Sequence, residues 1–185
     1  MGLSGLTLRP ATPDDIEALA ALWHRAWRDG HLGHVPEALL PHRQLEDFRR
    51  RVPARIPLTT VATMASGVVG FVTVHDDEVE QVYVAQEARG GGVADALLRH
   101  AERAIAARFD TAWLAVVSGN ARARRFYERN GWRDAGGFDY AAEIAGGTLP
   151  VPSRRYEKPV TRGEDPRAPG SQGRTHNTPS RTRAT

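Results

Sequence analysis

The run Val82-Tyr83-Val84-Ala85-Gln86-Glu87-Ala88-Arg89-Gly90-Gly91-Gly92-Val93-Ala94 constrains the fold of this chain more than any other. It reads as a strand, a short connection, an arginine, three consecutive glycines and then a helix. A strand feeding a helix through glycines places bare backbone N–H groups and the positive end of a helix dipole at one junction. Such a junction accepts anions, phosphates above all. Missing Cβ atoms let a pyrophosphate approach the backbone closely.

Three phosphate loops compete for this run. A P-loop needs Gly-Lys-Ser/Thr, and the one lysine of the chain is Lys158. A dinucleotide fingerprint needs G-x-G-x-x-G; Gly90 and Gly92 fit, but Asp95 stands where the third glycine belongs. The pattern R-x-x-G-x-G/A after a strand is matched by Arg89-Gly90-Gly91-Gly92-Val93-Ala94 at every specified position. A glycine-rich turn without a ligand is the plain alternative.

A second cluster follows about thirty residues on. Asn120, Ala123, the pair Phe126-Tyr127 and Gly131-Trp132 occur in that order and spacing. Together the two clusters resemble the acetyl-CoA loop and second signature of the GNAT superfamily of N-acetyltransferases, over roughly residues 5 to 160. The resemblance implies an acyltransferase using acetyl-CoA as co-substrate. It implies that backbone from Arg89 through Gly90, Gly91, Gly92 and Val93 to Ala94 wraps the pyrophosphate. It further implies that Val82, Tyr83 and Val84 line the pantetheine arm, that Asn120 touches the cofactor and that Tyr127 protonates the departing thiolate. A free phenol has a pKa near 10 and so carries a proton at neutral pH. Asn120 reads equally as a helix N-cap, and Tyr127 as a core residue.

An amine acceptor must lose a proton. Glu80 is the candidate base, favoured over Glu78 as nearer the expected splay of the sheet. His31 and His34 are alternatives, and with Trp27 they are placed in the acceptor wall; plain loop surface is their other reading. Metal binding by His24, His31, His34 and His42 lacks a recognised ligand spacing, so no metal is expected. The chain has no cysteine. That argues against an acetyl-cysteine intermediate and for direct attack in a ternary complex. The leading expectation is acetylation of a small-molecule amine. Acetylation of a protein lysine or N-terminus, and a non-catalytic acyl-CoA sensor, are the other readings.

The expected fold is α/β in the α+β sense: a mixed, mostly antiparallel sheet with helices on both faces, splayed at the central strands. Its element order is β-α-α-β-β-β-α-β-α-β-β. The spacing places a helix after Thr12, broken from Asp29 onward, and a second from Pro36 to about Arg51. Residues 136–152, rich in glycine and proline, read as a loop before a last strand at Ser153 to Lys158. By the resemblance, residues 1–160 are expected to form a single acetyltransferase domain. Residues 161–185, with five arginines against Glu164 and Asp165, read as a basic, disordered tail. Because residues 1–160 then sum to zero net charge, the basic balance points to no nucleic-acid face. No run approaches twenty apolar residues, so no membrane partner is expected, and a cytoplasmic location fits. The arginine-rich composition suggests a bacterial source. Homodimerisation, common in the superfamily, is left open.

Overall fold

A computed structural model describes residues 4–161. The expected disordered tail lies outside the described residues, apart from Thr161. The elements are β1 (Thr7–Pro10), α1 (Ile16–His31), α2 (Leu45–Arg55), β2 (Thr59–Met64), β3 (Gly67–His75), β4 (Glu78–Val84), α3 (Val93–Ala106), β5 (Thr111–Val117), α4 (Ala121–Arg129), β6 (Arg133–Ile144) and β7 (Gly147–Pro159). The seven strands form one sheet in the order β1-β2-β3-β4-β5-β7-β6. Every pairing is antiparallel except β4 with β5.

Two apolar cores sandwich this sheet. On one face α3 lays Val93, Leu97, Ala101 and Ile105 against the strands, with Trp132 and Tyr156 filling beside them. On the other, α1 sets Leu19, Trp23 and Trp27 against Phe48 and Val52 of α2 and Phe71 of β3. The steps of three and four along α1 and α3 are the physical origin of both faces. Trp23 meets Phe48 edge-on at 4.9 Å between centroids.

The structure corrects several local expectations. α1 continues through Asp29 and Gly30 to His31. Residues 37–42 form a 3-10 turn, and the second helix proper begins only at Leu45 and runs to Arg55, past Arg51. The largest correction concerns residues 136–152, which belong to the long β6–β7 hairpin rather than to a loop. The prolines that suggested a loop, Pro150 and Pro152, sit where β7 has only β6 as its strand neighbour. The Pro152 carbonyl accepts from Ser118 N–H, so its backbone turns away from β6 and the missing N–H breaks no hairpin bond.

β4 and β5 matter most for the site. Their parallel register is a single pair, Glu78 with Trp113, beside one hydrogen bond from Trp113 N–H to Asp77 O. Beyond it the two strands part. Ala85 N–H bonds back to Val69 O on β3. Backbone groups alternate along a strand, so those of Val82 and Val84 turn toward the gap.

Candidate active site

The gap between β4 and β5 opens into a cavity of about 520 Å³. Its walls come from those strands, from the glycine loop and from α4. The loop is shaped by two left-handed residues, Gly90 at φ 76° and Gly92 at φ 83°. Gly92 caps α3. Side-chain-bearing residues rarely adopt this conformation. The result is a row of free donors: none of the backbone N–H groups from Gly90 through Gly91, Gly92, Val93 and Ala94 to Asp95 has a protein acceptor among the described residues. The first acceptor bond of α3 is Ala96 N–H to Gly92 O, at 3.0 Å. Six such donors at the positive end of a fourteen-residue helix suit a diphosphate.

Arg89 is a brace. Its Nη2 donates to Asp29 on α1 at 2.8 Å and its Nε to Val84 O at 3.3 Å. Both groups tie the loop to its surroundings while the residue borders the cavity. Arg122, Arg125 and Arg129 also border it, at steps of three and four on α4. No carboxylate lies within ion-pair distance of these three among the described residues. Sequence reasoning passed over them, although the helical spacing of three arginines was a usable signal.

Asn120 caps α4, its Oδ1 accepting from Ala123 N–H at 3.0 Å. Its Nδ2 donates to Gly30 O at 3.0 Å, fastening α4 to α1. It borders the first cavity in that engaged state. Tyr127 packs its ring against Phe126, Trp132 and Tyr156. Its hydroxyl has no protein hydrogen-bond partner among the described residues, and the residue borders the same cavity. Burial, with a smaller contribution from Tyr83, raises its pKa above the usual phenol value. Burial likewise pushes Tyr83 up to about 12.

A second cavity, about 280 Å³, lies between α1, α2, β4 and the β6–β7 hairpin. It shares His31, Glu80, Gln81, Tyr83, Ala115 and Val117 with the first. Glu80 stands at this junction because of a β-bulge: Val74 pairs with Val79 and Thr73 with Gln81, leaving Glu80 as the extra residue. A bulge re-aims a side chain. Every protein hydrogen bond to Glu80 falls on Oε1, from Arg55 Nε at 2.9 Å and from Gln81 Nε2 at 3.5 Å. Oε2 is left free among the described residues. Glu78 borders neither cavity. Burial and the neighbouring Glu80 raise its pKa to about 7, and Tyr140 Oη donates to it at 3.4 Å.

The remaining predicted residues divide. Trp27 borders the second cavity and stacks on His31 at 4.9 Å, with 10° between planes. His31 donates from Nδ1 to Trp27 O at 2.9 Å, and burial holds its pKa down to about 4. Its imidazole is therefore neutral, with Nε2 unprotonated. His34 reaches neither cavity; its imidazole lies against Gly119, where a Cβ would overlap it. The expectation that His34 helps form the acceptor wall is not met by this geometry, because its ring packs on Gly119 outside both cavities. Among the described residues no group of three or more His, Asp or Glu side chains is gathered as a metal ion requires. Nor is any helix of the described residues long and apolar enough to cross a membrane.

The family model described as Acetyltransferase (GNAT) domain matches residues 57–134, from before β2 to the start of β6, both motifs included. No curated protein sequence matches the chain. Solved structures do. A GCN5-related N-acetyltransferase from Rhodopseudomonas palustris is 21% identical, with a TM-score of 0.68 over 86% of this chain and 99% of that one. One from Kribbella flavida is 24% identical, with a TM-score of 0.61 over 85% and 99%. The PaiA N-acetyltransferase of Thermoplasma acidophilum, solved in complex with coenzyme A, is 18% identical, with a TM-score of 0.58 over 84% and 99%. Residues 57–134, both motifs included, thus match the GNAT acetyltransferase domain model, and the chain shares the fold of these N-acetyltransferases.

Proposed function

We propose that this protein acetylates the amine of a small molecule, by direct attack with both substrates bound. The observation that carries this reading is the meeting of two cavities at Glu80 and Tyr83. The larger has the donors an acyl-CoA needs. The smaller is sized for a compact acceptor and is bounded by buried side chains such as Trp27 and Leu39. A protein substrate would favour an open groove, so lysine or N-terminal acetylation is the second reading.

Acetyl-CoA supplies the acetyl group activated as a thioester. The N–H row from Gly90 to Asp95 holds its diphosphate, with Arg122, Arg125 and Arg129 available to its remaining phosphate. Val82 and Val84 offer backbone groups along the open edge of β4, and Tyr83 faces both cavities. Such holding replaces translational freedom with fixed orientation. Glu80 Oε2 takes the amine proton, directly or through water. Tyr127 Oη gives a proton to the departing sulfur. Burial raises the proton affinity of a nearby thiolate as well as that of the phenol, so the transfer stays matched. The N–C bond forms as the C–S bond breaks; starting from the ammonium form nitrogen loses two protons, one before attack and one as the amide forms, sulfur gains one, and one proton is released overall. Residues 1–160 act as the catalytic domain.

The test is a panel of small amines against a panel of peptides, each with acetyl-CoA, read by thiol release. Turnover of small amines at least tenfold more efficient supports the reading. Preferred turnover of peptides overturns it in favour of the second.

A further inference from the structure

The second cavity carries positive charge that its own residues do not neutralise. Arg43, Arg51 and Arg55 border it, against the carboxylates of Glu80 and Glu143. Arg55 pairs with both carboxylates, at 2.8 and 3.0 Å, and Arg51 pairs with Glu143 at 3.2 Å. Arg43 has no carboxylate within ion-pair distance among the described residues, though it is only 4% exposed. Asp47 and Glu143 attract it from farther off, and Arg51 opposes it. Its one hydrogen bond runs from Nη1 to His42 O at 2.7 Å, and its guanidinium lies 5.7 Å from the Trp27 ring centroid.

A guanidinium has five N–H donors, and a buried charge without a counter-charge is strongly unfavourable. No buried side-chain nitrogen or oxygen of the described residues lacks a partner. The unbonded donors of Arg43 therefore open onto the cavity and onto a neighbouring space of about 150 Å³ that Arg43, Arg51 and Glu143 also border. The backbone holds this arrangement: Arg43 follows the 3-10 turn of residues 37–42 and precedes the capping box of Gln44 and Asp47 that starts α2.

We infer that the acceptor amine carries a carboxylate, which seats on Arg43 beside Arg51 while the amine lies at Glu80. This rests on the small-molecule reading above and narrows it to acceptors resembling amino acids. A planar guanidinium and a carboxylate match in two-pronged geometry. The carboxylate would bring the missing counter-charge, and its fixed seat would orient the amine toward the junction of the two cavities. Cavities of this size hold molecules of amino-acid dimensions. The carboxylate is unchanged by the reaction; acetylation removes the charge of the amine alone.

The experiment uses the full chain, acetyl-CoA and matched sets of acceptors: the proteinogenic amino acids, the amines formed by their decarboxylation, and their carboxamides. Thiol release is the readout. The carboxylates should exceed both matched sets in kcat/KM by about 30-fold or more, as expected for a desolvated charge pair. Arg43→Met should erase that preference through a higher KM, and Arg43→Lys should restore part of it. Calorimetric binding of acetyl-CoA checks that each variant is folded. If decarboxylated amines or carboxamides are used as well as the amino acids, the inference is overturned while the small-molecule reading stands. If the preference survives in Arg43→Met, Arg43 is not the seat and the inference fails. If acetyl-CoA binds but no small amine of any set is acetylated, the small-molecule reading falls and takes this inference with it.

Discussion

The proposed mechanism takes Tyr127 as proton donor and Glu80 as proton acceptor because of what each lacks. Among the described residues Tyr127 Oη has no partner, and Glu80 keeps Oε2 free while Arg55 holds Oε1. Tyr127→Phe should lower kcat by about 100-fold or more, with acetyl-CoA affinity by calorimetry within about threefold of the parent. Glu80→Gln should lower kcat/KM by about tenfold or more, while Glu78→Gln should leave turnover near the parent value, because Glu78 borders neither cavity. Glu78→Gln does have a stability signature. The folded-state pKa of Glu78, about 7, lies above its ordinary value of 4.5. The folded protein thus binds this proton more tightly, and stability falls as pH rises from about 4.5 to 7. Denaturant titrations of Glu78→Gln should show that slope removed. Asp15 behaves in the opposite sense. The hydrogen-bonded Arg9 guanidinium, at 2.7 and 2.8 Å, together with Thr12 N–H, holds its pKa down to about 2. Its contribution is present above about pH 4 and lost as pH falls through 2. Asp15→Asn should cost about 2 kcal/mol at pH 7 and little at pH 2.

Among the elements, the glycine loop with α3 is the proposed anion site, and α4 forms the second wall of its cavity. Gly92→Ala would force a Cβ into φ 83°, at a cost of about 1 kcal/mol or more. Thermal unfolding should report that loss, and calorimetry should report weaker acetyl-CoA binding. Replacing Arg122, Arg125 and Arg129 together by Ala should weaken acetyl-CoA binding by tenfold or more and flatten its dependence on salt. Binding unchanged in affinity and salt response would show that α4 leaves the cofactor phosphates alone. The glycine loop was legible because both its donors and its conformation follow from composition over six residues. The β6–β7 hairpin was not. Phe138, Tyr140, Ala142 and Ile144 alternate in the strand manner, but Pro150 and Pro152 outweighed them until the neighbouring strands were known. His34 illustrates the same limit, since nothing local says that the chain turns it toward Gly119 rather than into the site.

For the molecule as a whole, the decisive feature is a sheet that parts between β4 and β5 and joins two cavities at one junction. The proposed ternary complex needs both cavities filled at once. Initial-velocity plots with a turned-over amine should intersect, whereas parallel lines would require a covalent acetyl-enzyme that a chain without cysteine is poorly equipped to form. The order of elements, the amphipathic faces of α1 and α3, the glycine loop and the capping of α4 by Asn120 all follow from residues near one another along the chain. Turn chemistry, capping and periodicity are local, so the sequence by itself determined them. The tertiary structure alone decided which groups share a cavity. Glu80 reaches the junction through a bulge against β3, and Arg55 holds one of its oxygens from 25 residues away. Arg43 becomes a buried cation without a counter-charge among the described residues only when α1, α2 and β6 close around it. Burial and electrostatics depend on distances through space, and those exist only once the chain has folded.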